Sequence, residues 1–210
     1  MIVMRVTALS RMFFAATIIA VGALNLILIY GYTSSVRQAM PHWVLWQGVW
    51  TAWIYGSGVV MLASGAGLFL TSTATVAIRV LLVYLLLSLL FLKVPILVKA
   101  TWVIGSWENF AEGATLVSGA WVIFASLTGQ GHSPRLRFAM GDSGIRMARA
   151  LFAIALFLFG LSHFGYLKYT ASLVPAWLPW HLGWACLTGA AYMAACLGIL
   201  FRICPRLAAA

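Results

Sequence analysis

Residues 175–184 read PAWLPWHLGW and lead into the last long apolar run of the chain. Residues 41–50, PHWVLWQGVW, lead into an earlier apolar run and keep the same spacing, P-x-W-x-x-W-x-x-x-W. The chain contains only 6 Pro and 10 Trp, so chance is a poor explanation for two such stretches. Proline lacks an N–H group and fits the start of a helix. Each stretch therefore predicts a turn followed by a long helix.

The similarity between the two halves of the chain continues upstream of these stretches. Four residues recur at one constant offset, and in the same frame an asparagine lies opposite a histidine. The matched pairs are Arg11 and Arg149, Phe14 and Phe152, Ala15 and Ala153, Gly22 and Gly160, and Asn25 and His163. We infer a duplicated helix–loop–helix unit whose two copies differ in their polar side chains.

The composition is that of a membrane protein. Of the 210 residues, 64% are hydrophobic and 8% are charged, whereas soluble proteins carry about 25% charged residues. A helix needs about 20 apolar residues to cross a bilayer. Such runs occur at 12–32, 46–70, 76–98, 113–128, 150–168 and 180–202, the fourth being the shortest. The sequence therefore predicts an all-α, polytopic transmembrane bundle of about six helices.

The basic residues predict how this bundle lies in the membrane. The net charge is +10, and its Lys and Arg residues are spread along the predicted membrane edges, so we predict no nucleic-acid partner. Lys and Arg accumulate in short cytoplasmic loops, which makes the richer side cytoplasmic, together with both termini. That side contains Arg5, Arg11, Arg79, Arg135, Arg137, Arg146, Arg149, Arg202 and Arg206, and the other contains Arg37, Lys93, Lys99 and Lys168.

The tryptophans of the two repeated stretches have two interpretations. Indole rings are enriched at membrane interfaces, where an apolar ring with one N–H donor suits a half-wet zone. We predict interface anchors at Trp43, Trp46, Trp50 and Trp184. Trp177 and Trp180 are either further anchors or contacts for a ligand.

Two histidines are the strongest candidates for contact with a ligand. His163 and His181 belong to the second copy only, and histidine titrates near neutral pH. Ionisable side chains within spanning helices usually face the bundle interior. We predict that His163, His181, Trp177 and Trp180 contact a small ligand such as a quinone, with Glu108 as the nearest carboxylate. The alternative is that both histidines only hydrogen-bond neighbouring helices. No metal-ligand spacing is present, so we predict no metal site.

Other polar residues on the predicted extracytoplasmic side have more than one interpretation. Glu108 and Glu112 are spaced i,i+4 and share one face if the fourth helix begins early. They either handle a proton or cation, or complement the helix dipole. Lys93 either extends outward to the membrane surface or pairs with Glu108. Cys186, Cys196 and Cys204 contain no C-x-x-C pair, which disfavours a disulfide oxidoreductase.

The chain resembles the DoxX-like family of small bacterial integral membrane proteins. The resemblance rests on GLSHF at 160–164, VPAWLP at 174–179, Trp184, Gly189, WENF at 107–110 and LVSG at 116–119. It implies an α-helical bundle in the bacterial inner membrane and, for some members, a place in thiosulfate:quinone oxidoreductase or related redox assemblies. It also implies a DoxX-like four-helix block at 1–128, a cytoplasmic connector at 129–149 and a two-helix partial repeat at 150–210.

Three functions are compatible with these patterns. The first is a membrane subunit of a quinone-linked redox complex, which anchors a partner or contacts quinone on the extracytoplasmic side. The second is a non-catalytic structural accessory subunit of a larger respiratory or photosynthetic complex. The third is a small transporter, although only 3 acidic residues argue against a proton-coupled carrier. In the first two cases the partners are the lipid bilayer and other subunits of a membrane complex, and the chain is auxiliary rather than catalytic.

Overall fold

The computed structural model describes residues 8–27, 47–128, 138–201 and 203, with only the backbone described for 47–51. Every regular element in these ranges is helical, and six helices are long and apolar enough to cross a membrane. The six are α1 (Ala8–Ile27), α2 (Gln47–Phe69), α3 (Ala74–Lys99), α4 (Ile104–Thr128), α5 (Gly141–Gly165) and α7 (His181–Leu200), and α6 is a short helix at Leu167–Ser172. The predicted fold class, an all-α polytopic helical bundle, is confirmed.

Two helices begin well before the apolar runs that predicted them. The fourth starts at Ile104 instead of residue 113, and the fifth starts at Gly141 instead of residue 150. Polar and charged side chains lower the hydropathy of these first turns without breaking a helix. Gly141 has a φ of 55°, which suits glycine at the start of α5, and Asp142 lies in the first turn, where a carboxylate complements the helix dipole.

A π-helical turn interrupts α3 at Leu89–Lys93. Pro95 follows two residues later and has no N–H group to donate to the preceding turn. Within the π turn, the N–H group of Val94 donates to the carbonyl of Leu89, five residues back. Single π turns of this kind often occur at functional sites. This one places Lys93 at the end of the wider turn.

The hydrophobic core connects the helices in a definite order. The largest buried cluster draws residues from α1, α2, α3 and α4, including Ile18, Leu68, Leu81 and Val117. Buried alanines and Leu158 join α4 to α5. A third cluster, Ala153, Leu156, Cys196 and Ile199, joins α5 to α7. Helix α4 therefore lies between the first three helices and the α5–α7 pair. The predicted domain boundary at residue 128 stays a prediction.

Matched glycines lie where α1 crosses α2 and where α5 crosses α7. A Cβ atom on Gly22 would lie 2.9 Å from Met61 Cβ and 3.3 Å from the Gly58 carbonyl. On Gly160 it would lie 2.7 Å from Met193 Cγ and 3.0 Å from the Gly189 carbonyl. Small residues at such crossings let membrane helices approach closely. The duplication itself stays a prediction, because residues 41–46 lie outside the described residues.

The helix termini form two chemically different ends. We call the "aromatic end" the last turns of α3 and α5, the first turns of α4 and α7, and α6 between them. The end of α5 contacts the start of α4 there, because Gly165 packs against Ile104. The "basic end" is opposite and contains the first turn of α1, the first two turns of α3, the first three turns of α5 and the last turn of α7. Its described arginines are Arg11, Arg79, Arg146 and Arg149.

Candidate functional site

The most exposed indole rings project from the aromatic end. Trp102 and Trp177 are each 80% exposed and Trp180 is 78% exposed. Trp184 lies in the first turn of α7, where its indole N–H donates to the Pro179 carbonyl at 3.1 Å. Exposed indole rings at one end of a bundle are expected of interface anchors, and that role stays a prediction for these residues. Of the other predicted anchors, Trp43 and Trp46 lie outside the described residues, and only the backbone of Trp50 is described.

The second Pro/Trp stretch folds as a tight turn that opens α7. The Leu178 N–H donates to the Pro175 carbonyl at 2.9 Å, and His181 Nε2 lies 3.2 Å from the same oxygen. Trp180 adopts a left-handed backbone with a φ of 63°, which is uncommon for a residue other than glycine. Its ring lies over Gly183, where a side chain would collide with it. The rings of Trp177 and Trp180 are therefore exposed, and the contact of His181 with the Pro175 carbonyl joins the two ends of the turn.

His163 lies near the last turn of α5 and faces α7. Its Nδ1 atom lies 2.9 Å from the Phe159 carbonyl, and its ring centroid lies 5.2 Å from that of Tyr192. Because a carbonyl only accepts hydrogen bonds, Nδ1 carries the proton of this contact. The other ring nitrogen, Nε2, is left to accept a hydrogen bond when the ring is neutral or to donate one when it is protonated.

Glu108 lies in the second turn of α4, at the end of the bundle where α5 finishes. It is half-buried and lies within electrostatic range of both Glu112 and His163. The two helix ends are also joined by a hydrogen bond of 2.6 Å from the Gly105 N–H to the Tyr166 hydroxyl. The early start of α4 therefore brings a carboxyl group and an imidazole to the same end of the bundle, while their role in a common ligand site stays a prediction.

Lys93 forms the second polar contact between helices at this end. Its ammonium donates to the Asn109 carbonyl at 2.8 Å and to Asn109 Oδ1 at 2.7 Å, and it lies 3.7 Å from Glu112 Oε2. Gly113 leaves room for the lysine stem, because a Cβ atom there would lie 2.5 Å from Lys93 Cδ. Of the two alternatives for Lys93, ion pairing is the one observed, with Glu112 as its partner instead of Glu108.

The structure thus places only two of the predicted site residues within electrostatic range of each other. These two are Glu108 and His163, and Lys93, Asn109 and Glu112 lie at the same end on α3 and α4. Within the described residues, no hydrogen bond or ring contact links His163 to His181, Trp177 or Trp180. We did not select Asn109 or Gly113 from the sequence. Their i,i+4 spacing, which places both on one face of the helix that follows Lys93, could have indicated them. No family model, curated protein or solved structure matches this chain.

Proposed function

We propose that the protein is an integral membrane subunit of a quinone-linked redox complex and contacts quinone at the aromatic end. The observation that carries this proposal is the placement of Glu108 on α4 within electrostatic range of His163 on α5. A quinone has two carbonyl oxygens that accept hydrogen bonds, and each is protonated when the ring is reduced. His163 can donate a hydrogen bond from Nε2 to such an oxygen when the ring carries both protons, and the Glu108 carboxyl lies within electrostatic range of the ring. The exposed rings of Trp177 and Trp180 offer apolar faces at the same end of the bundle.

The electrons in this proposal come from a partner subunit. Quinone reduction consumes two electrons and two protons, and the described polar residues of this chain handle protons. The resemblance of residues 160–164 and 174–179 to the DoxX-like family supports membership in a redox assembly. The chain then anchors the partner and shapes the quinone contact.

We further propose that the basic end is cytoplasmic, in a bacterial inner membrane, with both termini inside. Arg11, Arg79, Arg146 and Arg149 lie at that end, whereas Lys93, Lys99 and Lys168 lie at the aromatic end. This asymmetry supports the orientation through the positive-inside rule. Reporters fused after Arg137 and after Ala210 should both give cytoplasmic signals, and an external signal at Arg137 would contradict the orientation.

Purification from native membranes tests the proposed function most broadly. We expect the affinity-tagged chain, extracted in mild detergent, to bring down other membrane subunits together with bound quinone. Subunit composition is read by mass spectrometry and quinone by chromatography of the organic extract. A parallel purification of an unrelated six-helix protein, adjusted to equal lipid content, corrects for free quinone. Subunits without excess quinone would contradict the quinone contact.

A second candidate, the structural accessory subunit, rests on a specific observation about the histidines. Each has a ring nitrogen beside a backbone carbonyl of its own segment, His163 at Phe159 and His181 at Pro175. Such bonds hold the end of α5 and the turn before α7 in place. If these bonds are their whole role, the chain stabilises a larger complex without contacting its substrate. Subunits recovered without quinone would favour this candidate.

A further inference from the structure

A cavity of about 150 Å³ opens at the basic end, far from the proposed quinone contact. It is lined by Arg146, Arg149 and Ala150 of α5 and by Ile199 and Leu200 of α7. The two arginines are three residues apart and therefore lie on one face of their helix. The cavity thus combines two guanidinium groups with an aliphatic wall.

The charge of this cavity is uncompensated by the residues that line it. Arg146 Nη2 donates to Ser143 Oγ at 2.9 Å, and this bond uses one of the five N–H donors of its guanidinium. None of the described residues that line the cavity is a carboxylate; Asp142 lies one turn earlier on α5. The ion pair of the described residues, Lys93 with Glu112, lies at the other end of the bundle. The cavity is therefore suited to an anion, and arginine matches the oxygens of a phosphate group.

The apolar surface beside the cavity indicates what kind of anion fits. Ile199 is buried in the wall, whereas Leu200, Leu197 and Ile154 are each more than half exposed. Ile154 follows Ala150 by four residues and Leu197 precedes Leu200 by three, so each continues the helix face of a lining residue toward the middle of the bundle. Arg146 and Arg149 lie before the long apolar run of α5, and the headgroup region is expected to begin where such a run ends. A phosphate that carries an acyl chain would contact both parts.

We propose that this cavity binds one anionic phospholipid, with its phosphodiester at Arg146 and Arg149 and an acyl chain along α5 and α7. Basic pockets between helices on the cytoplasmic side recognise anionic headgroups in this way. A zwitterionic phosphatidylcholine fits less well, because its choline cation would meet the two guanidinium groups without a carboxylate in the lining. This site is independent of the proposed quinone function.

Competition between two lipids tests the proposal. The purified full-length chain is equilibrated in detergent with equal amounts of dioleoyl phosphatidylglycerol and dioleoyl phosphatidylcholine, and retained lipid is counted by native mass spectrometry. We expect about one phosphatidylglycerol per chain to persist. The double variant Arg146→Gln/Arg149→Gln should retain it about tenfold less well, since each basic residue near an anionic lipid contributes to binding.

Matched variants decide whether the site is specific. Arg79→Gln removes an exposed arginine at the same end, outside the cavity, and should retain the lipid as well as the wild type. Leu200→Trp should fill the cavity and lower retention although both arginines remain. Circular dichroism verifies that each variant is folded, and Leu200→Trp carries the test if the double variant is not. Equal losses in Arg79→Gln and in the cavity variants, or unchanged retention in the latter, would overturn the proposal.

A final arm separates a lipid from a soluble anion. Inorganic phosphate, added in millimolar excess, should leave phosphatidylglycerol bound, because it lacks the acyl chain that contacts Leu197 and Ile154. Complete displacement by inorganic phosphate would identify a free-phosphate site and overturn the lipid assignment.

Discussion

Replacing Gly160 with leucine should separate α7 from α5 and lower the free energy of unfolding by about 3 kcal/mol, the upper part of the range for overpacked interiors. A Cβ atom at this position would lie 2.7 Å from Met193 Cγ and 3.0 Å from the Gly189 carbonyl. The methionine side chain can move, but the carbonyl belongs to the backbone of α7, so the helices themselves have to shift. Equilibrium unfolding in mixed micelles, followed by circular dichroism, measures the change.

Gly56 provides a matched control for this substitution. It lies in α2, and a Cβ atom there would meet none of the described atoms within 4 Å apart from its chain neighbours and the nearby backbone of its own helix. Gly56→Leu should therefore change the unfolding free energy by less than about 1 kcal/mol. Gly22→Leu should resemble Gly160→Leu, because Gly22 occupies the matched crossing. Equal stability of the Gly160 and Gly56 variants would show that the α5–α7 crossing tolerates a side chain.

The number of spanning helices could be predicted from the sequence because each apolar run is long. The starts of α4 and α5 could not, since hydropathy falls where Glu108, Glu112, Arg146 and Arg149 occur. Helical backbone continues through these residues because their side chains can reach the bundle ends or neighbouring polar groups. Hydropathy measures transfer into hydrocarbon, and it does not measure helix formation at the interface.

At the aromatic end, the sequence indicated which polar residues are candidates for a site, but it did not indicate which of them contact each other. Glu108 and His163 were both chosen from the sequence, and the structure places them within electrostatic range. The partner of Lys93 depends on the π turn at Leu89–Lys93, which rotates the lysine relative to a regular helix. The left-handed backbone of Trp180 depends on its ring resting over Gly183. Both features come from tertiary packing, so local sequence patterns do not reveal them.

The largest functional effect is expected for His163→Asn. Asparagine is the residue at the matched position of the first copy, Asn25, so the backbone and Cβ packing against Gly189 should be preserved. The amide cannot be protonated, and it loses the Nε2 contact that the proposed function assigns to the quinone oxygen. Loss of one hydrogen bond to a charged donor corresponds to about tenfold or more in affinity. Assembly with partner subunits should remain.

Quinone content per chain in the purified His163→Asn complex tests the central claim most directly. Asn25→Ala is the matched control, because Asn25 contacts Met61 in the α1–α2 pair and lies outside the proposed site. The proposed function predicts that quinone content and the rate of quinone reduction fall about tenfold in His163→Asn and stay unchanged in Asn25→Ala. Wild-type quinone content and electron-transfer rate in an intact His163→Asn complex would contradict the quinone contact and support the structural accessory role.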